Sequence, residues 1–225
     1  MRTNQVLKLF FALMLFVLNV SAQNVSRFYD KGKAGYKNTA TGEIVVPAKY
    51  TGAGEMTEAA SGIYCAPVSE NMKTGYINNR GEIIIPMIYE NGSSFSNGLA
   101  RVMKDGKNGY INAKGETVIP FEYGYARDFK DGIARVEKNG KWGFIDVTGN
   151  VVVAIQYQNA GDFSSGLAPV MAQNGKWGFI NTQGQFVINP KFTKAESFEN
   201  GEALVNNGEK FVYINTQGKV VREMD

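Results

Sequence analysis

The chain has 225 residues, with 24 basic and 21 acidic side chains, 26 glycines, one cysteine and no histidine. An apolar content of 44% is enough to build a core, and abundant glycine with an ordinary charge content predicts a turn-rich β protein rather than a helical or disordered one. The lack of histidine excludes Ser-His-Asp and Cys-His catalytic triads, imidazole-ligated zinc and an imidazole pH switch.

The first 22 residues have the layout of a secretory signal peptide. Arg2 and Lys8 precede or flank an apolar run at 9–18, and small residues end the segment at Ala22. That run is too short to cross a bilayer as a retained anchor, which needs about 20 apolar residues. We therefore expect cleavage after Ala22 and no stable membrane span afterwards. The mature protein, 23–225, is expected to be exported to the periplasm, the cell surface or the medium.

Two features of the mature chain limit its chemistry. Loss of Arg2 and Lys8 lowers the net charge from +3 to +1, and the remaining charges of both signs are interspersed. A nucleic-acid-binding protein needs clustered Lys and Arg, so we expect no nucleic-acid partner. Cys65 is the sole thiol and lies in an apolar run, which predicts a small buried hydrophobe rather than a reactive group.

A motif of lysine, one variable residue, glycine and an aromatic repeats along the mature chain. Its six copies begin at Lys33, Lys73, Lys107, Lys141, Lys176 and Lys210. The last copy has valine in place of glycine, and the usual interval is about 34 residues, with a longer first one. A fixed period of this length indicates tandem structural units. We expect units beginning near residues 25, 63, 99, 133, 167 and 203.

Each unit has the pattern of three short antiparallel strands joined by tight turns. In the fifth unit, strands are predicted at 167–171, 176–181 and 185–188. Asn or Asp at the first position of the second turn accepts hydrogen bonds from the following amides, and glycine closes the turn. Proline, as at Pro120, is predicted to end the third strand. The run that follows, as at 121–132, is predicted to be a helical turn or a compact loop.

The alternation of side chains predicts that the units stack. Trp142 and Phe144 lie on one face of their strand and Ile145 on the other, so both faces carry apolar groups. One three-stranded unit cannot cover two such faces, and the glycine inside the strand predicts a close neighbouring backbone or ring. The fold class is therefore all-β, with tandem three-stranded antiparallel meanders. The short period favours an open solenoid-like array; a six-bladed propeller-like ring is the alternative.

Two copies of the motif carry a recognisable signature. Lys-Trp-Gly-Phe-Ile-Asp at 141–146 and Lys-Trp-Gly-Phe-Ile-Asn at 176–181, each followed by a turn glycine, a strand and an aromatic, resemble the WG-repeat (KWG-repeat) family of bacterial proteins. The resemblance covers about residues 25–222. The remaining copies have another residue at the tryptophan position, namely Ala34, Thr74, Asn108 and Phe211. The resemblance implies a β-rich repeat protein, commonly exported or surface-associated, and it supplies no catalytic residues.

The candidates for catalysis are carboxylates in the segments that connect the units. They are Asp128 with Asp131, Asp162, and Glu196 with Glu199. A glycosidase uses two carboxyl groups about 5–10 Å apart, flanked here by aromatic residues. These acids recur at repeated positions beside lysines, which favours solvated loop charges, and they lack the spacing of a calcium loop. We expect no enzymatic activity, no cofactor and no metal site.

The candidate binding residues are Trp142, Trp177, Lys141 and Lys176. The two tryptophans occupy equivalent positions one unit apart and are suited to packing at a unit junction, or to a sugar face or an organic cation. The lysines either keep strand ends soluble or meet an anionic surface. The pattern favours a non-catalytic exported scaffold that binds another protein or an envelope polymer. A glycan-binding module or a carbohydrate-active enzyme is the alternative.

Overall fold

The computed structural model describes residues 25–224, so the signal peptide predicted at 1–22 lies outside the described residues. Within 25–224 all regular structure is β and no helix occurs. The strands form six antiparallel sheets that follow one another in chain order. The predicted fold class is confirmed. Among the described residues, no helix has the length and apolar character needed to cross a membrane.

The bounds of the strands show the repeat directly. The first sheet contains β1 (Val25–Asp30), β2 (Lys33–Asn38) and β3 (Ile44–Tyr50). The second contains β4 (Gly52–Ala53), β5 (Thr57–Ala60), β6 (Ile63–Glu70), β7 (Lys73–Asn78) and β8 (Ile83–Tyr89). The third contains β9 (Asn91–Gly92), β10 (Ala100–Lys104), β11 (Lys107–Ile111) and β12 (Thr117–Tyr123), and the fourth β13 (Tyr125–Ala126), β14 (Ile133–Lys138), β15 (Lys141–Asp146) and β16 (Val151–Tyr157). The fifth contains β17 (Asn159–Ala160), β18 (Ala168–Met171), β19 (Trp177–Ile180) and β20 (Phe186–Phe192), and the sixth β21 (Lys194–Ala195), β22 (Glu202–Asn206), β23 (Phe211–Asn215) and β24 (Val220–Glu223).

Five of the six described sheets contain a two-residue strand that sequence analysis does not predict. These linking strands are β4, β9, β13, β17 and β21, and each begins after a single residue that follows the third meander strand of the preceding sheet. Each linking strand pairs with the first meander strand of its own sheet, as β13 does with β14. The chain therefore passes from the edge of one sheet to the edge of the next over one residue.

This crossing corrects two sequence-based predictions. The segment after Tyr123 is extended rather than helical, because Tyr125–Ala126 pairs with β14. Proline does not end the third meander strand, because Pro120 lies inside β12, as Pro47, Pro86 and Pro190 lie inside β3, β8 and β20. These strands lie at a sheet edge, where one side of the backbone donates no ladder hydrogen bond and proline is tolerated.

The glycine of the motif permits a β-bulge. The register of β19 against β20 shifts between Trp177 and Phe179, on either side of Gly178. A Cβ at Gly178 would lie 2.6 Å from the carbonyl oxygen of Ile188, so only glycine leaves room for the bulged backbone. The close neighbouring backbone predicted from the sequence is therefore confirmed. In the sixth sheet Val212 replaces the glycine and pairs directly with Glu223.

The turn between the second and third meander strands has the predicted chemistry. In the fifth sheet, Oδ1 of Asn181 accepts hydrogen bonds from the amides of Gln183 at 3.1 Å and Gln185 at 3.0 Å. Gly184 closes this turn with φ of 76°, and a Cβ there would lie 3.3 Å from Val153 of the fourth sheet. The turn of one sheet thus packs on the preceding sheet.

Aromatic and aliphatic side chains fill the space between consecutive sheets, as predicted. At one junction Phe144 and Tyr157 of the fourth sheet pack with Val170 and Ile180 of the fifth. The described residues contain five such core clusters, each between consecutive sheets. Six sheets in a closed ring would need a sixth cluster between the last and the first. The described residues therefore form an open array.

The outward faces of the two end sheets carry charge where the inner sheets carry aliphatic side chains. Lys37 of the first sheet stands at the position of Ile77 in the second. Arg222 of the sixth sheet lies opposite Tyr213, where Ile188 lies opposite Phe179 in the fifth. The guanidinium of Arg222 lies 3.3 Å from the centre of the Tyr213 ring. Each end of the array thus presents a polar face, as terminal repeats do.

Candidate binding surface

Trp142 lies in β15 and is half-buried between polar and aromatic neighbours. Its ring centre is 5.3 Å from that of Tyr125, and the guanidinium carbon of Arg135 lies 4.9 Å from its centre. Stacking on a guanidinium is favourable for an indole ring. The fold therefore uses Trp142 to hold Arg135, and the Arg135 guanidinium occupies a ring face that a ligand would need.

Trp177, in the equivalent position of β19, lines an open groove between the fifth and sixth sheets. This groove, the Trp177 groove, has a volume of about 410 Å³, and Phe211 and Leu204 contribute its apolar walls. Its polar rim carries Thr193, Lys194 and Glu196. The Lys194 ammonium lies 6.0 Å from the centre of the Phe211 ring. Trp177 therefore combines an aromatic wall with charged groups of both signs.

The two candidate lysines lie elsewhere. Lys141 is exposed at the start of β15, and Lys176 is half-buried in the turn before β19, where its amide donates to Oδ1 of Asn174. Neither ammonium forms an ion pair with a residue of 25–224. The charged groups of the Trp177 groove are Lys194, which the sequence did not single out, and Glu196, which it offered only as a catalytic or calcium-binding candidate. Phe211 was detectable, since it occupies the tryptophan position of the sixth copy.

Two of the candidate loop carboxylates, Asp128 and Asp162, form ion pairs with arginines of the preceding sheet, whereas Asp131, Glu196 and Glu199 form no ion pair within residues 25–224. Asp128 lies 3.1 Å from Nε of Arg101, and Asp162 lies 3.1 Å from Nε of Arg135. Glu55 pairs in the same way with Arg27. Sequence analysis did not identify these arginines, although each stands nine residues before the aromatic of its motif. The carboxylates therefore tie one sheet to the next.

Arg135 is the most enclosed of these arginines. One of its terminal nitrogens donates to the carbonyl of Ala160 in the next sheet. Its Nε is buried, and the contact with Asp162 has ion-pair distance without hydrogen-bond alignment. Burial lowers the pKa of the Arg135 guanidinium, and the charge of Asp162 opposes that shift. The side chain remains a cation that bridges the fourth and fifth sheets.

Two pockets lie at equivalent places on the loop side of the array. The basic pocket of the fourth sheet, about 250 Å³, is lined by Arg127, Lys130, Arg135, Asp128 and Asp162 among others. The acidic pocket of the sixth sheet, about 270 Å³, is lined by Glu196, Glu199, Glu202, Tyr213 and Arg222 among others. The described residues contain no group of three or more Asp, Glu or Cys side chains placed to hold a metal ion.

An exposed apolar stripe follows the outer edges of the sheets. In every sheet, one or both of the first two positions of the third meander strand expose an aliphatic or aromatic side chain: Ile44, Ile83, Val118, Val151, Val152, Phe186, Val187, Val220 and Val221. Exposed apolar side chains grouped on one part of a protein surface commonly mark an interaction site. The repeat thus presents one apolar element per unit along its length.

The fold and its surface define a class, the tandem β-sheet repeat proteins. The family model described as a WG containing repeat matches residues 35–71, 75–107, 109–142, 142–177 and 177–211. The chain belongs to this family. No curated protein matches the chain.

Solved structures resemble the fold at low sequence identity. The crystal structure of a eukaryotic initiation factor is 10% identical with a TM-score of 0.54, and the match covers 90% of this chain and 63% of that one. The computationally designed Ika8 protein is 12% identical with a TM-score of 0.50, covering 89% and 73%. BamB from Moraxella catarrhalis is 11% identical with a TM-score of 0.49, covering 89% and 70%. At such identities the likeness concerns the fold alone.

Proposed function

We propose that this protein is a non-catalytic, exported repeat scaffold that binds another protein through the apolar stripe. The observation that carries the proposal is that each of the six described sheets exposes an aliphatic side chain at the first or second position of its third meander strand. Repeat arrays bind extended partners by presenting equivalent positions along a continuous surface. Apolar side chains suit a protein partner better than a hydrated polymer, because their burial removes apolar area from water.

Two of the loop carboxylates support a non-catalytic role. Asp128 and Asp162, which sequence analysis considered as members of a glycosidase pair, each bind an arginine of the preceding sheet. Each of these carboxylates is engaged in a contact that joins two sheets, whereas a general acid must be free to reach the group that it protonates. These acids therefore support a structural role.

Export is part of the same proposal and rests on residues 1–22. Processing after Ala22 would leave Gln23 as the first residue of the mature chain. We expect the precursor, expressed in a bacterium, to yield an extracytoplasmic protein whose amino-terminal residue is Gln23. Recovery of the full-length chain in the cytoplasm would contradict this part of the proposal.

The binding test targets the stripe. We expect the triple variant Ile83→Ser, Val151→Ser and Val187→Ser of the mature chain to lose capture of its envelope partner while remaining folded, because each side chain is about half exposed. Met72→Ser is a matched control, since Met72 is 90% exposed in a turn away from the stripe. Equal capture by the triple variant and the parent protein would refute the stripe as the binding surface.

A glycan-binding module is the second candidate, and the Trp177 groove favours it. Sugar rings stack on aromatic faces, and the rim offers Thr193, Lys194 and Glu196 as hydrogen-bonding groups. We expect a glycan array to detect binding that Trp177→Ala abolishes and Trp142→Ala leaves intact, since Arg135 covers Trp142. Loss of binding in neither variant would exclude this groove as a glycan site.

A further inference from the structure

The basic and acidic pockets occupy the same place in the repeat. The amide of Arg127 donates to the carbonyl of Arg135 in the fourth sheet, as the amide of Glu196 donates to that of Leu204 in the sixth. Three residues later, the amide of Lys130 donates to the carbonyl of Ile133, and the amide of Glu199 donates to the carbonyl of Glu202 in the same way. Arg127 and Glu196 are therefore structural equivalents, as are Lys130 and Glu199, and both pairs have opposite charge.

These four side chains carry the uncompensated charge of the two pockets. All four are exposed, and none forms an ion pair within residues 25–224. The other charged groups of the pockets are already paired, namely Asp128 with Arg101, Asp162 with Arg135, and Glu202 with Arg222. Asp131 beside Lys130 is the remaining acid of the basic loop, and its equivalent in the sixth sheet is Asn200.

The sheet between the two pockets has small side chains at the equivalent positions. Gly161 stands where Arg127 and Glu196 do, and Ser164 stands where Lys130 and Glu199 do. The rest of this loop continues with Ser165 and Gly166. The small side chains of the fifth sheet therefore allow close approach of another surface. The positive Arg127 lies 34 residues before Gly161, and the negative Glu196 lies 35 residues after it.

We propose that the loop side of sheets four to six is a homodimer interface, in which a second copy binds antiparallel about a two-fold axis at the fifth sheet. Rotation about that axis places the basic pocket of each copy against the acidic pocket of the other. A two-fold interface must be self-complementary, and opposite charges one repeat unit away on either side of a small-residue centre meet that condition. Lys130 then faces Glu199 of the second copy, and Arg127 faces its Glu196.

The test exchanges the charges at the 130 and 199 positions of the mature chain. We expect sedimentation equilibrium to detect a dimer of the parent protein at low ionic strength, weakening as salt rises from about 0.05 M to about 0.5 M because exposed charges are screened. Lys130→Glu alone and Glu199→Lys alone should each raise the dissociation constant about tenfold or more, since each places like charges in contact at both ends of the interface.

Restoration of binding distinguishes this interface from a general charge effect. An equimolar mixture of the two single variants should form a heterodimer with nearly the parent affinity, and so should the double variant, because opposite charges again face each other. Asp131→Asn should tighten the dimer by removing an acid from the basic side. Lys104→Glu is the matched control, since Lys104 is exposed at the opposite end of its meander and should leave the constant unchanged.

A parent protein that remains monomeric at low salt would overturn the proposal. So would two single variants that associate no better together than apart, because the proposed contact requires residue 130 of one copy to face residue 199 of the other. This test concerns only the loop side of the array. If the parent protein dimerises as expected while the stripe variant captures its partner as well as the parent does, the interface would be supported and the stripe proposal refuted.

Discussion

Two positions of the repeat change together along the chain. One position lies in the first meander strand of a sheet, and the other lies in the loop that follows the linking strand of the next sheet. Where the first is arginine the second is an acid, and where the first is proline the second is serine: Arg27 with Glu55, Pro67 with Ser94, Arg101 with Asp128, Arg135 with Asp162, and Pro169 with Ser197. An enclosed guanidinium needs an anion, while a serine hydroxyl can donate to a backbone carbonyl instead. Ser197 does so, at 2.8 Å from the carbonyl oxygen of Asp162. Each junction thus has one of two compatible residue pairs.

We expect Asp162→Ser to lower the free energy of unfolding by about 1–2 kcal/mol, because Arg135 is left enclosed without its anion, with a reduction for the exposure of Asp162. Arg135→Pro in the same chain should recover most of that loss, since Pro169 occupies the equivalent position. Urea unfolding of the single and double variants measures the coupling. Asp131→Ser is the control, because Asp131 has no arginine partner and Ser165 is its equivalent. Additive effects of Asp162→Ser and Arg135→Pro on the free energy of unfolding would contradict the pairing.

Cys65 is fully buried in the core between the second and third sheets, as predicted from its apolar surroundings. Burial raises the pKa of its thiol to about 11, so only about 0.1% is thiolate at pH 8. We expect no reaction with a thiol-specific disulfide reagent in the folded protein at pH 8 and rapid reaction of one thiol per chain in denaturant. Comparable rates in the two states would show that Cys65 is accessible.

At the scale of the strand, the β-bulge opposite the motif glycine is the feature that distinguishes this meander from a regular one. The bulge brings the backbone of the third meander strand onto Gly178 of the second. The third meander strand, β20, is an edge strand that continues through Pro190. One residue after it ends, the chain enters the linking strand of the next sheet. Bulges increase local twist and redirect a strand, which suits a crossing between sheets.

We expect Gly178→Ala to lower the free energy of unfolding by about 2–3 kcal/mol, because the new Cβ would lie 2.6 Å from a backbone oxygen that belongs to a paired strand. Thermal or urea unfolding gives the value. Gly52→Ala is the matched control, since a Cβ there would make an ordinary contact of 3.5 Å with Ser69 and its φ is not positive. Equal stability of the two variants would argue against the bulge.

At the scale of the molecule, the array combines apolar internal junctions with charged outer faces. Lys37 and Arg222 each replace an aliphatic residue that packs inside a junction elsewhere. Stacking a second array on the first sheet would bury Lys37, which has no ion-pair partner within residues 25–224, and stacking on the sixth would bury the Arg222–Glu202 ion pair. Removing such charges from water is costly. Neighbouring sheets of one chain therefore pack together, whereas the charged end faces disfavour end-to-end association of separate chains.

We expect the double variant Lys37→Ile and Arg222→Ile to form head-to-tail oligomers at concentrations where the parent protein does not, because a heterologous contact without charge can repeat along a fibre. Light scattering and sedimentation velocity measure the growth. Each single variant should show less growth, because one charged face remains in every contact. Unchanged sedimentation of the double variant would show that the charges do not limit stacking.

Much of the fold could be predicted from the sequence because its determinants are local. The 34-residue period, the Asn-to-Gly turns and the strand glycine act within a few residues, and the two apolar faces of each strand require stacking whatever the details. The linking strands were missed since two residues carry no periodicity. The run through Pro120 was misassigned because an edge strand tolerates proline where a central strand does not.

The candidate surfaces depended on the tertiary structure. Arg101 meets Asp128 27 residues away across a junction, and only the packing of two sheets places the guanidinium beside the carboxylate. The same packing covers Trp142 with Arg135 while leaving Trp177 beside an open groove, although the two share one motif. The sequence by itself determined the unit and that units stack, because these follow from backbone and burial. Tertiary structure decided which side chains meet, because contacts between sheets join residues that no local pattern relates.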